Sequence, residues 1–274
     1  MKIWHRVSFD RRYEEVLRRL NIDYEKGATP AADYSSVVFS IDEDNPGWPE
    51  IKQIVERHDS FNIPSTRFTD EEILEAEWSR LCPGFEKGYP QPERAMRYVP
   101  ATFGWRCPSC GLESEQKAPF RIRKDLGMGR NDFVTLYWTY SILCTQRVVR
   151  KIEEAALRGV DIWPVILHGK DVPSEVLSQL VFPVVAGPGL DPRDMQRPEY
   201  CAACGITKYE YHRRGYMHIK RDALRNDVDA QLTYEWFGSN TKTGYREILI
   251  SNRFARLILE QGWKGISLKA VALV

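Results

Sequence analysis

In the opening stretch KIWHRVSF, Ile3, His5, Val7 and Phe9 share one face at period two, which predicts a half-buried strand. Tyr13, Val16, Leu17 and Leu20 follow at i, i+3, i+4, i+7, the stripe of an amphipathic helix. SSVVFSI reads as a second strand. A second helix starts near Pro49, which suits a first turn, and carries Ile51, Ile54, Val55 and His58 on one stripe. Thr69 with Glu72 forms a capping box that opens a third helix through Ile73, Leu74 and Trp78. The run CPGFEKGYPQPER then breaks regular structure and suggests a boundary near residue 95. The pattern therefore predicts an α/β protein with mixed sheets, made of an N-terminal region, 1–95, and a second region, 96–274.

The second region contains two similar segments. TQRVVRKIEEAALRGVDIWPVIL (145–167) and SNRFARLILEQGWKGISLKAVAL (251–273) align without a gap, with identities at Arg147/Arg253, Arg150/Arg256, Ile152/Ile258, Glu154/Glu260, Gly159/Gly265, Val165/Val271 and Leu167/Leu273. Each reads as an N-cap hydroxyl, an amphipathic helix, a glycine suited to a left-handed C-cap and a closing strand. Strand-like runs precede them, DFVTLYWTYSILC in one case and REILI in the other. Each segment also follows a Cys-x-x-Cys-Gly motif by several tens of residues. The expectation is an internal duplication of a knuckle–strand–helix–strand unit; the competing reading is the general likeness of strand–helix–strand segments.

Those motifs, CPSCG at 107–111 and CAACG at 201–205, use four of the six cysteines. Two residues between paired thiols let both sulfurs point at one ion, and two such turns supply the four tetrahedral ligands that zinc prefers. Gly111 and Gly205 can take the positive φ that the tight turn needs. One structural zinc per chain, held by Cys107, Cys110, Cys201 and Cys204, is the favoured reading. A redox dithiol is the alternative, disfavoured because the glycines interrupt any helix beginning at the motif. A catalytic zinc would need an open position that four cysteines do not leave. His212 and His218, near the second motif, could replace a sulfur or be partly buried histidines. Cys144 reads as a small core residue equivalent to Ile250, and Cys82 as an incidental residue in the Gly/Pro run.

Composition changes this picture little. The chain has 274 residues, 43% hydrophobic and 28% charged, and does not need a metal to reach a stable core. No stretch approaches the roughly 18 unbroken apolar residues of a membrane span, and the N-terminus lacks a signal-like apolar core, so a cytoplasmic location is expected. Residues 1–100 carry 14 Lys/Arg against 19 Asp/Glu, and 101–274 carry 25 against 19, within a net charge of +1. The basic tracts with Arg121, Arg123 and Lys124, and with Arg213, Arg214, Lys220 and Arg221, could contact nucleic acid, with Tyr211 and Tyr216 stacking on bases; the other reading is a solvated basic face. GMG at 127–129 has no dinucleotide-loop context, IDEDN at 41–45 reads as a turn that could bind a cation, and no catalytic triad or dyad stands out.

The two CxxCG motifs, with the closing stretch ISNRFARLILEQGWKGISLKAVAL, resemble the bacterial double-CXXCG motif proteins. The likeness spans about 101–274 and rests on the four motif cysteines and two glycines. In that family the first motif tends to lie near the N-terminus, whereas about 100 residues precede it here. The resemblance implies a zinc-binding immunity-type protein that neutralises a toxin by direct binding, with no catalytic residues. A zinc-ribbon nucleic-acid binder and a thiol redox protein are the other readings.

Overall fold

The computed structural model describes residues 1–28, 35–58, 60–238 and 244–274, and forms two compact units. The first comprises Met1–Thr69 with Arg213–Gly215, the second Asp70–His212 with Tyr216–Val274. Residues 70–95 thus group with the second unit, whereas the Gly/Pro run suggests a boundary near residue 95.

The first unit is a four-stranded antiparallel sheet with two helices. Strands Lys2–Asp10, Tyr24–Ala28, Ser35–Asp42 and Phe61–Arg67 lie in the spatial order second, third, first, fourth. With helices Glu14–Arg19 and Trp48–Arg57 between them, this is the split β-α-β arrangement of ferredoxin-like folds. The period-two face buries His5, Val7 and Phe9 against Leu17, Val37, Phe39, Trp48 and Ile51. His5 stacks on Trp48 at 3.9 Å between ring centroids, with Nε2 at 2.7 Å from Glu43 Oε1. Arg214 grips the same carboxylate with both terminal nitrogens and, chiefly by that hydrogen bonding, lowers the Glu43 pKa. Glu43, in the acidic turn, is therefore neutralised by protein groups.

The second unit contains two five-stranded sheets of matching design. In spatial order, the first sheet holds Arg121–Ile122, Asp161–Leu167, Val172–Val181, Ile142–Thr145 and Phe133–Thr135. The second holds Met217–Ile219, Ile266–Leu273, Trp78–Pro83, Ile248–Ser251 and Ala230–Leu232. In both, the first pair is parallel and the other three are antiparallel. Register matches as well: Ser178 faces Pro164 and Cys144, while Ser79 faces Ala270 and Ile250. The nine-residue helices Gln146–Glu154 and Asn252–Glu260 follow equivalent strands. The central strands are exchanged relative to chain order. Trp78–Pro83, which precedes the first knuckle, lies in the sheet whose other strands follow the second; Val172–Val181, which precedes the second knuckle, completes the first sheet.

Local expectations are met unevenly. Ser251 caps its helix by accepting from Phe254 N, but Thr145 makes no such bond and its Oγ1 is buried without a partner. Left-handed Ala156 and Gly262 lie just beyond the helix ends, and Gly159 and Gly265 turn the chain into the next strand. The third helix stops at Glu75, and Trp78 opens a strand rather than completing a helical stripe. Cys82 is no incidental loop residue: it is buried in the central strand of the second sheet. The run DFVTLYWTYSILC divides into Phe133–Thr135 and Ile142–Thr145, with Trp138 at φ +67° between them.

Candidate metal centre

Each CxxCG motif sits at the tip of a tight turn with the same hydrogen bonds. Cys107 N donates to Leu112 O at 2.8 Å and Gly111 N to Cys107 O at 2.9 Å; Cys201 N donates to Ile206 O at 2.9 Å and Gly205 N to Cys201 O at 2.8 Å. Closing the turn this way drives the glycine to positive φ, +69° at Gly111 and +72° at Gly205, a conformation that L side chains rarely adopt. Both glycines lie in the left-handed region.

The two turns face each other. Sγ of Cys107 lies 3.8 Å from that of Cys201, Sγ of Cys110 lies 3.7 Å from that of Cys204, and all four sulfurs fall within 4.8 Å of one another. A tetrahedral site with metal–sulfur bonds of about 2.3 Å has edges of about 3.8 Å, so these four cysteines can hold one metal ion. Within each turn the first thiol is the more acidic. Backbone hydrogen bonding from Cys110 and Ser109 brings Cys107 down to about 7, and bonding from Cys204 and Ala203 lowers Cys201. Burial pushes Cys110 up to about 12 and raises Cys204. A bound cation would favour the thiolate at all four positions.

The surroundings cover the first motif's sulfurs more fully than the second's and supply positive charge. Leu112, Ile206 and Trp236 pack against the sulfurs. Lys208 is 1% exposed and donates from Nζ to Cys110 O at 3.0 Å, and Arg106 donates from Nε to Gly111 O at 3.3 Å. Arg246 lies over the Trp236 ring, 4.6 Å from its centroid. Lys208 and Arg106 escape a sequence reading because a lysine in a short strand and an arginine before a knuckle look like surface residues.

His212 and His218 do not join the sulfurs. They belong to a buried polar chain in which Arg80 Nη1 donates to His212 Nδ1 at 2.9 Å, His212 Nε2 lies 3.3 Å from Asp194 Oδ1, and His218 Nδ1 lies 3.0 Å from Asp194 Oδ2. An arginine can only donate, so His212 Nδ1 is the acceptor and its proton sits on Nε2. Arg80 also lies 3.6 Å from Glu247, which accepts from Tyr140 OH at 2.8 Å. Cys144 is fully buried beside Phe133, at the position Ile250 occupies in the other sheet, as the sequence predicts.

The basic candidates scatter into separate pairings. Arg121 pairs with Asp171 at 2.5 Å, Arg214 with Glu43, and Arg221 with both oxygens of Glu77 at 2.6 and 2.7 Å. Arg213 accepts a hydrogen bond at its carbonyl from Thr66. Arg123, Lys124 and Lys220 are exposed. Among the described residues no helix is long and apolar enough to cross a membrane. No protein-family model matches the chain, and no curated protein matches its sequence.

Proposed function

We propose that the four cysteines hold one structural zinc and that the chain acts by binding another protein rather than by catalysis. The observation that carries this is the closed sulfur tetrahedron: with four thiolates bound, no coordination position is left for water or substrate. Zinc is favoured over other ions because an all-thiolate tetrahedral set suits it; the same set also accommodates iron. A dithiol redox role fits less well, since all four sulfurs gather in one cluster rather than being set aside as one exposed couple.

The second unit is, on this reading, a duplicated module whose copies have exchanged their first strands. The matched strand orders, registers and knuckle turns support it, and the metal then lies where the two copies meet. The CxxCG pattern and its closing segment favour an immunity-type protein of the cytoplasm that neutralises a toxin by direct binding. Titration against purified toxin domains encoded beside its gene tests this. A stable complex with one of them is expected, and no complex with any would overturn it.

Nucleic-acid binding is the second reading, favoured by exposed Arg123 and Lys124 but weakened by the carboxylates that already neutralise Arg121, Arg214 and Arg221. Salt-dependent retention on nucleic acid that falls when Arg123 and Lys124 are replaced by alanine would promote it.

A further inference from the structure

We propose that a cavity beside the first knuckle is a binding site for a carboxylate carried on an apolar body, assembled only while the metal centre is formed; the metal dependence rests on the zinc reading above. The cavity has a volume of about 430 Å³, within the range of small-ligand sites. Met96, Val99, Pro100 and Trp105 supply apolar walls, and Arg106 and Lys117 the polar groups. Among the described residues none that is acidic lines it. Among the described residues the Lys117 ammonium has neither an ion pair nor a hydrogen bond, and Arg106 approaches a carboxylate only at 3.9 Å, that of Glu113. An apolar pocket with one unengaged cation and one loosely engaged cation selects an anion with an apolar body over a neutral or cationic ligand.

The backbone is shaped for this cavity. Ala95 and Met96 are consecutive non-glycine residues at φ +54° and +52°, a conformation that L-residues avoid and that recurs at ligand clamps. That turn brings Met96 to the wall. Trp105 is half exposed, so an apolar ligand seated on it would remove a large ring face from water.

The coupling to the metal comes from the hairpin that bears the first knuckle. Trp105 N donates to Ser114 Oγ and Ser114 N to Trp105 O, both at 2.9 Å, and Arg106 bridges to Glu113. Cys107 and Cys110 lie at the tip of this hairpin. Without a metal to tie the tip to the second knuckle, Trp105 and Arg106 lose the support that places them. The exchanged strands, by contrast, hold the two large sheets together independently of the sulfurs.

Calorimetric titration of the full chain with 3-phenylpropionate, with its uncharged amide, and with the peptide acetyl-Gly-Gly-Phe as acid and as amide tests the proposal. Zinc is quantified in each sample. The acids are expected to bind at least about tenfold more tightly than the amides. Lys117→Gln should erase that preference with the zinc content unchanged, and chelation should abolish binding while the far-ultraviolet dichroism persists. Binding of the peptide acid alone would identify a chain end as the ligand, and binding of the small acid alone a free metabolite-like acid. Equal binding of acid and amide, or no binding by a chain carrying one zinc, would overturn the site and leave the metal reading standing. Acid binding that survives chelation would overturn the coupling, and a chain that purifies without zinc would overturn the metal reading; neither would overturn the pocket.

Discussion

Asp132 and Asp229 occupy equivalent places at the edges of the two large sheets, and each binds the loop that follows the other sheet's helix. Asp132 N donates to Lys264 O at 2.9 Å, and its carboxylate accepts from Lys264 N at 3.1 Å; Asp229 N donates to Arg158 O at 2.8 Å, and its carboxylate accepts from Arg158 N at 3.0 Å. Each also pairs with the first arginine of the adjacent helix, Arg147 or Arg253. Both aspartates are almost wholly buried, so removing either carboxylate strands backbone donors. Asp132→Ala and Asp229→Ala are each expected to cost ~1–3 kcal/mol in urea unfolding, with Asp229 at the upper end because it also accepts from Ser251 Oγ. Losses under half a kcal/mol would mean that the reciprocal contacts do little.

The glycines of the same loops give a sharper contrast. A Cβ on Gly159 would sit 2.2 Å from Ala230 O, and one on Gly265 would sit 2.1 Å from Phe133 O, at φ +82° and +98°. Gly262, at φ +60°, has nothing within 4 Å, and its counterpart Ala156 already holds φ +46°. Gly159→Ala and Gly265→Ala should each lose more than about 2 kcal/mol, and Gly262→Ala about 1 kcal/mol. Equal losses at all three, read by thermal unfolding, would contradict the close approach.

Arg80 and Gln179 hold equivalent register positions in the two central strands, yet their partners differ. Gln179 exchanges amide hydrogen bonds with Gln116 at 2.7 and 3.0 Å, whereas Arg80 sits between Glu247 and His212. Both Arg80 and Glu247 are almost wholly buried. Arg80→Met leaves Glu247 an uncompensated buried charge and should cost ~3–5 kcal/mol, while adding Glu247→Leu should recover more than half of that loss. A double variant no more stable than the single one would show that the charges do not stabilise each other.

Acid stability should report Asp194. Burial opposes its ionisation, but hydrogen bonds from the His212 ring and from the His218 backbone and ring hold its pKa down to about 2. Because the folded value lies below the ordinary 3.8, the carboxylate contributes stability that is complete above about pH 4 and is lost as pH falls toward about 2. Unfolding midpoints measured across that window should fall more steeply for the native chain than for Asp194→Asn. Parallel curves would refute the assignment.

The strand exchange predicts how the chain divides. A break at Gly169, in the turn between Asp161–Leu167 and Val172–Val181, removes the central strand of the first sheet from the leading fragment and leaves the trailing one without Trp78–Pro83. The fragments 1–169 and 170–274 should co-purify as a one-to-one complex when expressed together, and neither should form its five-stranded sheet apart. A folded five-stranded sheet in either fragment alone would contradict this strand arrangement.

What the sequence discloses follows from how local each signal is. Lys2–Asp10 is legible because one face is solvated, leaving a clean period of two. Trp78–Pro83 is not: five of its six residues are buried, a charged Arg80 among them, so nothing alternates and Trp78 extends the preceding helical stripe. The knuckles are readable because coordination chemistry fixes their spacing within five residues. Lys208 and the Arg80–His212–Asp194 chain are assembled by tertiary contacts and leave no local pattern.

The most direct test of the metal centre is elemental analysis of the full chain, purified without chelator, with a count of reactive thiols. One zinc per chain, with the four thiols of Cys107, Cys110, Cys201 and Cys204 protected until a chelator is added, is the predicted result. A metal-free chain whose motif cysteines react freely or oxidise reversibly in pairs would contradict it.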